Sequence, residues 1–345
     1  MRVGILTGGG DCPGLNAVIR AIVQRAIKSH GWTVAGIRHG WRGLLLEEIE
    51  PLTLDSVSGI LPRGGTILGT SRTNPYQEPD GEERIRATLA RQGIEALIAV
   101  GGEDTLGTAA KLARAGVPVV GVPKTIDNDV NGTDYTFGFD TALTIATEAI
   151  DRLHTTAESH DRVMVVEVMG RHAGWIALES GIAGGADMIL IPEYSVQFRE
   201  ICEAIWRRHE RGKNFSMIVV AEGARLADDS GQPLHAQSEK RDPFGHVRLG
   251  GIGASLATKI EERTGYESRY TVLGHIQRGG SPTAFDRVLG SRFGVAAVDL
   301  AKRGSFGRMV AIRGTEIVDV SLEEASGTIK TVGPELYGMA RVFFS

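Results

Sequence analysis

The stretch that decides the fold runs from Ile98 to Asp129. It opens Ile98-Ala99-Val100-Gly101-Gly102-Glu103-Asp104-Thr105, continues through a helix-like segment Leu106 to Ala115, and closes Val117-Pro118-Val119-Val120-Gly121-Val122-Pro123-Lys124-Thr125-Ile126-Asp127-Asn128-Asp129. Both short apolar runs have the continuous pattern of strands buried on two faces, as a parallel sheet requires. Each breaks at its carboxyl end into a glycine-rich or acidic turn, and in open α/β sheets ligands bind just beyond those ends. Paired glycines let backbone N–H groups approach an anion, and flanking carboxylates suit a divalent metal. The stretch reads as a site for a phosphate chain and its metal.

The same grammar recurs outward from it. Val3 to Leu6 is a strand, Thr7-Gly8-Gly9-Gly10-Asp11-Cys12-Pro13-Gly14 a turn, and Leu15, Val18, Ile19, Ile22, Val23, Ala26 and Ile27 recur at helical spacing. Strand, glycine turn and helix place anions at a helix N-terminus. Neither G-x-G-x-x-G nor G-x-x-x-x-G-K-[ST] is satisfied, so the loop is phosphate-like without matching either common nucleotide fingerprint. A tight structural βα turn would also use these glycines. Thr33–Arg38 reads as a second strand, and Arg63 to Arg72 as a further glycine loop. There Arg72, after Gly69-Thr70-Ser71, is the better phosphate ligand, because its planar fork can bridge two oxygens.

Downstream, Ile145–Leu153 and Ile252–Arg263 read as helices. Arg162–Val168 reads as a buried strand ending in Met169-Gly170-Arg171, and Met217–Ala221 as one ending in Glu222-Gly223. Tyr270–Leu273 ends in Gly274-His275-Ile276-Gln277-Arg278-Gly279-Gly280, and a helix Ala284–Arg303 and a strand Met309–Arg313 follow. The polar run 225–248 reads as a long loop. Alternating strands and helices predict an α/β chain of two similar Rossmann-like lobes, each a largely parallel sheet covered by helices, with the active site in a cleft between them. The expected donor-binding lobe is 1–138 with 282–331, and the acceptor-binding lobe is 139–281 with 332–345.

Composition narrows the classes. At 345 residues, 42% hydrophobic and 23% charged, the chain has material for two sizeable cores. A net charge of −4 argues against a nucleic-acid surface. Cys12 and Cys202 are the only cysteines and show no metal-type spacing, which fits a reduced, cytoplasmic compartment. The N-terminus passes directly into a strand-like run and no apolar stretch approaches ~20 residues, so neither a signal peptide nor a membrane span is expected.

Taken together, Thr7 to Asp11, Gly101 to Thr105, Thr125 to Asp129, Met169-Gly170-Arg171 and Gly274 to Gly280 resemble 6-phosphofructokinase, in the family's order and over nearly the whole chain. The resemblance implies transfer of a phosphoryl group to the 1-hydroxyl of fructose 6-phosphate, with Mg2+, in a homodimer or homotetramer whose active sites are shared between subunits. By position, Asp127 would be the general base and Asp129 would orient it and the metal. Thr125 and Arg72 would contact the transferring group, and Glu103 would hold the metal where many relatives have Asp. Gly9, Gly10, Gly102, Asp104 and Thr105 match the donor site. Thr125, Ile126, Asp127, Arg162, Met169, Gly170, Arg171, Glu222, Arg269, His275, Ile276, Gln277 and Arg278 match the sugar-phosphate site, with two of the arginines supplied by a neighbouring subunit. These roles suit in-line phosphoryl transfer, which asks mainly for positioning and charge neutralisation.

Asp104 and Lys124 bear on the donor. ATP-using relatives usually carry Gly at the first position and often at the second. A carboxylate there fills the room for an α-phosphate and sets like charges at ~4 Å, on the order of 4 kcal/mol at an effective dielectric of 20. Lys124 would add a point charge suited to the dense charge of pyrophosphate. This Asp–Lys pair, with Asp104 discriminating, resembles the pyrophosphate-dependent members and implies a readily reversible reaction serving glycolysis and gluconeogenesis. The alternatives are an ATP-dependent 6-phosphofructokinase, a lipid or NAD kinase with a related acidic-glycine motif, and a non-catalytic sugar-phosphate sensor. The last two fit less well: neither explains both the arginine-rich second lobe and the carboxylates Glu103, Asp127 and Asp129.

Overall fold

The computed structural model describes residues 1–234, 244–245 and 249–344. Of the expected loop 225–248, positions 235–243 and 246–248 lie outside the described residues. Among those described, no helix is long and apolar enough to cross a membrane.

Thirteen strands are found among these residues. In chain order they are β1 Arg2–Thr7, β2 Thr33–Ile37, β3 Ile49–Leu52, β4 Ala96–Gly101, β5 Val119–Pro123, β6 Val163–Val168 and β7 Met188–Leu190. The rest are β8 Val196–Gln197, β9 Ser216–Ala221, β10 Leu226–Ala227, β11 Ser268–Val272, β12 Arg308–Arg313 and β13 Glu316–Ser321. The chain divides into two compact units, Met1–Thr141 with Arg278–Ile329, and Ala142–Gln277 with Lys330–Ser345.

The first unit is built on a seven-stranded sheet ordered β13-β12-β5-β4-β1-β2-β3. Its inner strands run parallel, with Val3 to Thr7 opposite Ala96 to Val100 and Leu97 to Gly101 opposite Val119 to Pro123. All residues of β4 and β5 are buried, as their uninterrupted apolar sequence requires of strands covered on both faces. The helix Leu15–Gln24 buries Leu15, Val18, Ile19, Ile22 and Val23. The helical spacing then passes into a π-helical turn, Arg25–Ser29. Antiparallel strands finish both edges, β3 against β2 and β13 against β12. They escaped the sequence reading because short edge strands carry little apolar signal; β13 buries only one of its six residues.

The second unit holds a four-stranded, wholly parallel sheet ordered β11-β6-β9-β7 and a two-stranded one, β10-β8. Its core gathers Val163, Val165, Ile218, Val220, Leu190, Ile201, Leu256 and Ile260. The helix Phe198–Glu210, absent from the sequence reading, buries Phe198, Ile201, Cys202 and Ile205 there. The helix expected over Ile145–Leu153 is longer, Phe139–Ser159.

Candidate active site

In the first unit the carboxyl ends of β1, β4 and β5 meet. The Gly8 N–H donates to the Val100 carbonyl at 2.9 Å, and the Lys124 N–H donates to the Gly101 carbonyl at 2.9 Å, so the three turns are stitched side by side. Gly101 and Gly8 have no room for a side chain. A Cβ on Gly101 would stand 2.3 Å from Thr105 Cβ, and one on Gly8 would stand 2.6 Å from Thr105 Oγ1. Thr105 is therefore wedged between the two loops and 2% exposed. The helix expected from Leu106 begins at Glu103, with extended Gly102 as its N-cap. Glu103 and Asp104 are thus first-turn residues, where the helix dipole favours carboxylates whatever else they do. Both are half-buried, and Arg72 is exposed, one residue after Ser71, whose carbonyl accepts from Gly9 N–H at 3.2 Å.

The turn after β5 is held from within. Asn128 adopts φ 52°, a left-handed conformation Asn tolerates well, and its side-chain oxygen accepts the Thr136 N–H at 3.1 Å. The Thr136 hydroxyl donates to the Thr125 carbonyl at 2.8 Å, and the Asp127 N–H donates to Thr125 Oγ1 at 3.0 Å. Asp127 is 5% exposed, and its Oδ1 has no hydrogen-bond partner among the described residues. A buried carboxylate oxygen left unpaired costs free energy unless something outside the chain engages it, which is what a base awaiting a substrate hydroxyl needs. Sequence reading passed over Asn128 and Thr136; the signal was an Asn between two Asp, a residue suited to a positive φ.

Lys124 is 3% exposed, and its ammonium donates to the Gly10 carbonyl at 2.5 Å. Burial pulls its pKa below the usual lysine value, and the nearby Arg278 adds to this while Asp127 and Asp11 oppose it. Arg278, 8% exposed, lies in the first unit with its Nη1 3.3 Å from the Asp11 carbonyl.

In the second unit the turns after β6 and β9 pack together. The Glu222 N–H donates to the Val168 carbonyl at 2.8 Å, and Glu222 Oε1 accepts the Arg171 N–H at 3.3 Å. Gly170 at φ 142° and Arg171 at φ 51° make the sharp turn that follows Met169. His275 and Ile276 are exposed on the 3-10 turn Gly274–Arg278 that follows β11, and buried Gln277 ties that turn by donating to the Gly274 carbonyl at 3.1 Å. Glu167, a residue the sequence reading gave no role, is 1% exposed. It accepts the Gly251 and Gly253 N–H groups at the start of the helix Ile252–Thr264.

Two predicted residues lie elsewhere. Arg162 precedes β6 and Arg269 is near the start of β11, so both stand at the amino ends of strands whose carboxyl ends lead to Met169 and His275. They share Glu267, from which Arg162 Nη2 is 2.8 Å and to which Arg269 also pairs. At about 3.3 Å per residue, the backbones of Arg162 and Met169 are about 23 Å apart along the strand. Among the described residues no group of three or more His, Cys, Asp or Glu side chains is placed to hold a metal.

Comparison with known proteins gives the family. The phosphofructokinase family model matches residues 2–301. The chain is 63% identical, over the full length of both, to a protein of Amycolatopsis methanolica named pyrophosphate–fructose 6-phosphate 1-phosphotransferase. It is 53% identical, over 99% of each chain, to ATP-dependent 6-phosphofructokinase 3 of Streptomyces coelicolor. Its fold superposes with a TM-score of 0.82 on pyrophosphate-dependent phosphofructokinase of Marinobacter aquaeolei, at 25% identity over 97% of this chain and 86% of that one. Two largely parallel α/β sheets bearing these turns, and a family model spanning most of the sequence, show that the chain belongs to the phosphofructokinase family.

Proposed function

We propose that the protein is a pyrophosphate-dependent 6-phosphofructokinase, transferring a phosphoryl group from pyrophosphate to the 1-hydroxyl of fructose 6-phosphate in a reversible reaction. The observation that carries this reading is the acidic side chain of Asp104 in the first turn beside the glycine loops, together with Lys124 buried at the same loops. A relative bearing the pyrophosphate name stands at 63% identity against 53% for one named for ATP, which supports the same choice. Asp127 would accept the proton of the attacking hydroxyl at its unpaired Oδ1. Asp129, Thr125 and Arg72 would steady the base and the transferring group.

Mg2+ usually takes one or two carboxylates, keeps several waters and leans on substrate phosphates. The absence of a three-ligand cluster among the described residues is compatible with that, and Glu103, in the first turn of its helix, would be the carboxylate that contributes. The ion would neutralise charge on the phosphate oxygens, while the chain's own groups position donor and acceptor.

Met169, Gly170, Arg171, Glu222 and His275 would hold the sugar phosphate. Arg162 and Arg269, stranded at the far strand ends, would serve the site of a second copy, which makes a homodimer or homotetramer the working form. The edge position of β11 and the exposure of Tyr270, Val272 and Ile276 support such a contact. The reading carries a cytoplasmic location with it.

Steady-state assays with fructose 6-phosphate and Mg2+ held fixed test the donor. Strong turnover with pyrophosphate is expected, and turnover with ATP alone would refute it. Mixing Arg162→Ala with Asp127→Asn protein tests the shared site. Activity recovered only in the mixture is expected, and two inactive parents giving an inactive mixture would refute sharing.

A further inference from the structure

In β6 the side chains of Val163, Val165 and Glu167 share one face of the strand, by the alternation of a pleated chain. Val163 and Val165 pack there with Leu256, Ala257 and Ile260 of the helix Ile252–Thr264. At the carboxyl end the same face presents a carboxylate, 1% exposed, where a third apolar residue would have served the core. Glu167 Oε1 accepts the Gly251 N–H at 3.0 Å, and Oε2 accepts the Gly253 N–H at 2.8 Å. Burying the charge is tolerable because a helix start supplies N–H groups with no partner inside the helix, and the positive end of its dipole. Glycines leave the room. A Cβ on Gly253 would stand 3.1 Å from Glu167 Oε2, and one on Gly250 would stand 3.4 Å from Oε1.

Capping alone does not account for this arrangement. Ser, Asp or Asn at the N-cap would satisfy the helix locally. Instead the N-cap is Gly251, without a side-chain cap, and the acceptor comes from 84 residues earlier. What the long-range bond adds is a tie between the helix start and the strand that leads, two residues on, into Met169-Gly170-Arg171. The segment before the helix also reaches that turn from the other side. A Cβ on Gly223 would stand 1.8 Å from the Arg171 carbonyl oxygen and 3.5 Å from Leu249 Cδ1, so Arg171, Gly223 and Leu249 are close neighbours.

We propose that Glu167 is a positioning residue for the acceptor site. Through Gly251 and Gly253 its carboxylate holds residues 249–253 behind the Glu222-Gly223 turn, and so fixes the turn at 169–171 that receives the sugar phosphate. The inference rests on the functional reading above and adds a residue outside the substrate contacts named there.

Glu167→Gln keeps the shape and removes the charge, and Glu167→Asp keeps the charge on a shorter stem. Gly253→Ala presses a methyl against the carboxylate while improving helix propensity. Ile260→Ala is the control, a cavity in the same core about two turns further along the helix. For each, denaturant melts give the stability and calorimetry gives the Kd of fructose 6-phosphate alone. KM and kcat are measured for sugar and pyrophosphate in turn, with the other saturating. Glu167→Gln should weaken the sugar Kd and KM roughly 10- to 100-fold, the scale of misplacing a positioned group by about 1 Å, with kcat and the pyrophosphate KM little changed. Glu167→Asp should recover part of the loss. Gly253→Ala should raise the sugar KM without loss of stability, and Ile260→Ala should lose stability without raising it. An unchanged sugar Kd in Glu167→Gln and Gly253→Ala overturns the proposal, as does a pyrophosphate KM that rises in step or an equal rise in Ile260→Ala. Should Glu167→Gln not fold, Glu167→Asp and Gly253→Ala decide by the same criteria. If the wild type uses ATP in place of pyrophosphate, the donor reading falls and the same split, measured with ATP, still decides the proposal. A wild type that binds no fructose 6-phosphate overturns both.

Discussion

Replacing Asp104 by glycine isolates the charge and bulk that set donor choice. Asp104 sits half-buried in the first turn of the helix Glu103–Arg114, directly after the Gly101-Gly102 turn. Removing it should cost stability in two ways. A first-turn carboxylate interacts with the helix dipole by about 0.3–1 kcal/mol, and glycine in a helix costs roughly 0.5–1 kcal/mol more. A loss of about 1–2 kcal/mol is tolerable for a domain of this size. Against ATP, the relieved repulsion lies between about 1 kcal/mol at full solvent screening and about 4 kcal/mol at an effective dielectric of 20, for charges about 4 Å apart. Half-burial places the value inside that range, so kcat/KM for ATP should rise by about 10- to 1000-fold. Both donors would be assayed with magnesium and fructose 6-phosphate saturating, and denaturant melts would confirm a folded variant. A stable Asp104→Gly protein with unchanged ATP activity would refute the steric and charge argument.

Other perturbations test the same site from different sides. Asp127→Asn should keep the fold and KM values but lower kcat by about 100- to 10,000-fold, the usual worth of a general base; a kcat within about threefold of wild type would remove Asp127 from that role. Asn128→Ala should destabilise the chain by about 2 kcal/mol or more, through a strained positive φ and a buried Thr136 N–H left unpaired, and should lower kcat with it. Asn128→Gly should recover the backbone part in melts. Asp286 is fully buried and accepts Thr141 N–H and Oγ1 at 2.8 and 2.6 Å, while burial pushes its carboxyl from 3.8 up to about 6. Between these values the native state binds the proton and the unfolded chain does not, so this group's contribution to stability falls as pH rises from about 4 to about 6, by about 3 kcal/mol in full. Asp286→Asn should flatten that stretch of the stability–pH curve, and an unaltered slope would show that other groups set it.

Continuous apolar runs such as Leu97 to Val100 and Val119 to Val122 can be satisfied only by strands covered on both faces, and glycine and acidic turns at their ends mark where an anion and a metal can approach. Local sequence therefore determined the parallel α/β class, the three loops of the first unit and the motifs of the second. It could not disclose the short edge strands β3 and β13, whose partial exposure leaves little pattern, nor the helix Phe198–Glu210. The start of the helix at Glu103 depended on Gly102 adopting an extended cap. Long-range packing alone decided that Thr105 wedges between Gly8 and Gly101, and that Asn128 and Thr136 brace the turn carrying Asp127. The separation of Arg162 and Arg269 from Met169 and His275, by contrast, already followed from the strands that lie between them in the sequence. The physical reason is that hydrophobic periodicity fixes which face of an element is buried, whereas the direction of a buried side chain and its partner depend on residues far away in the chain. Lys124 and Arg278 show this most directly, since they reach Gly10 and Asp11 from sequence separations of 114 and 267 residues.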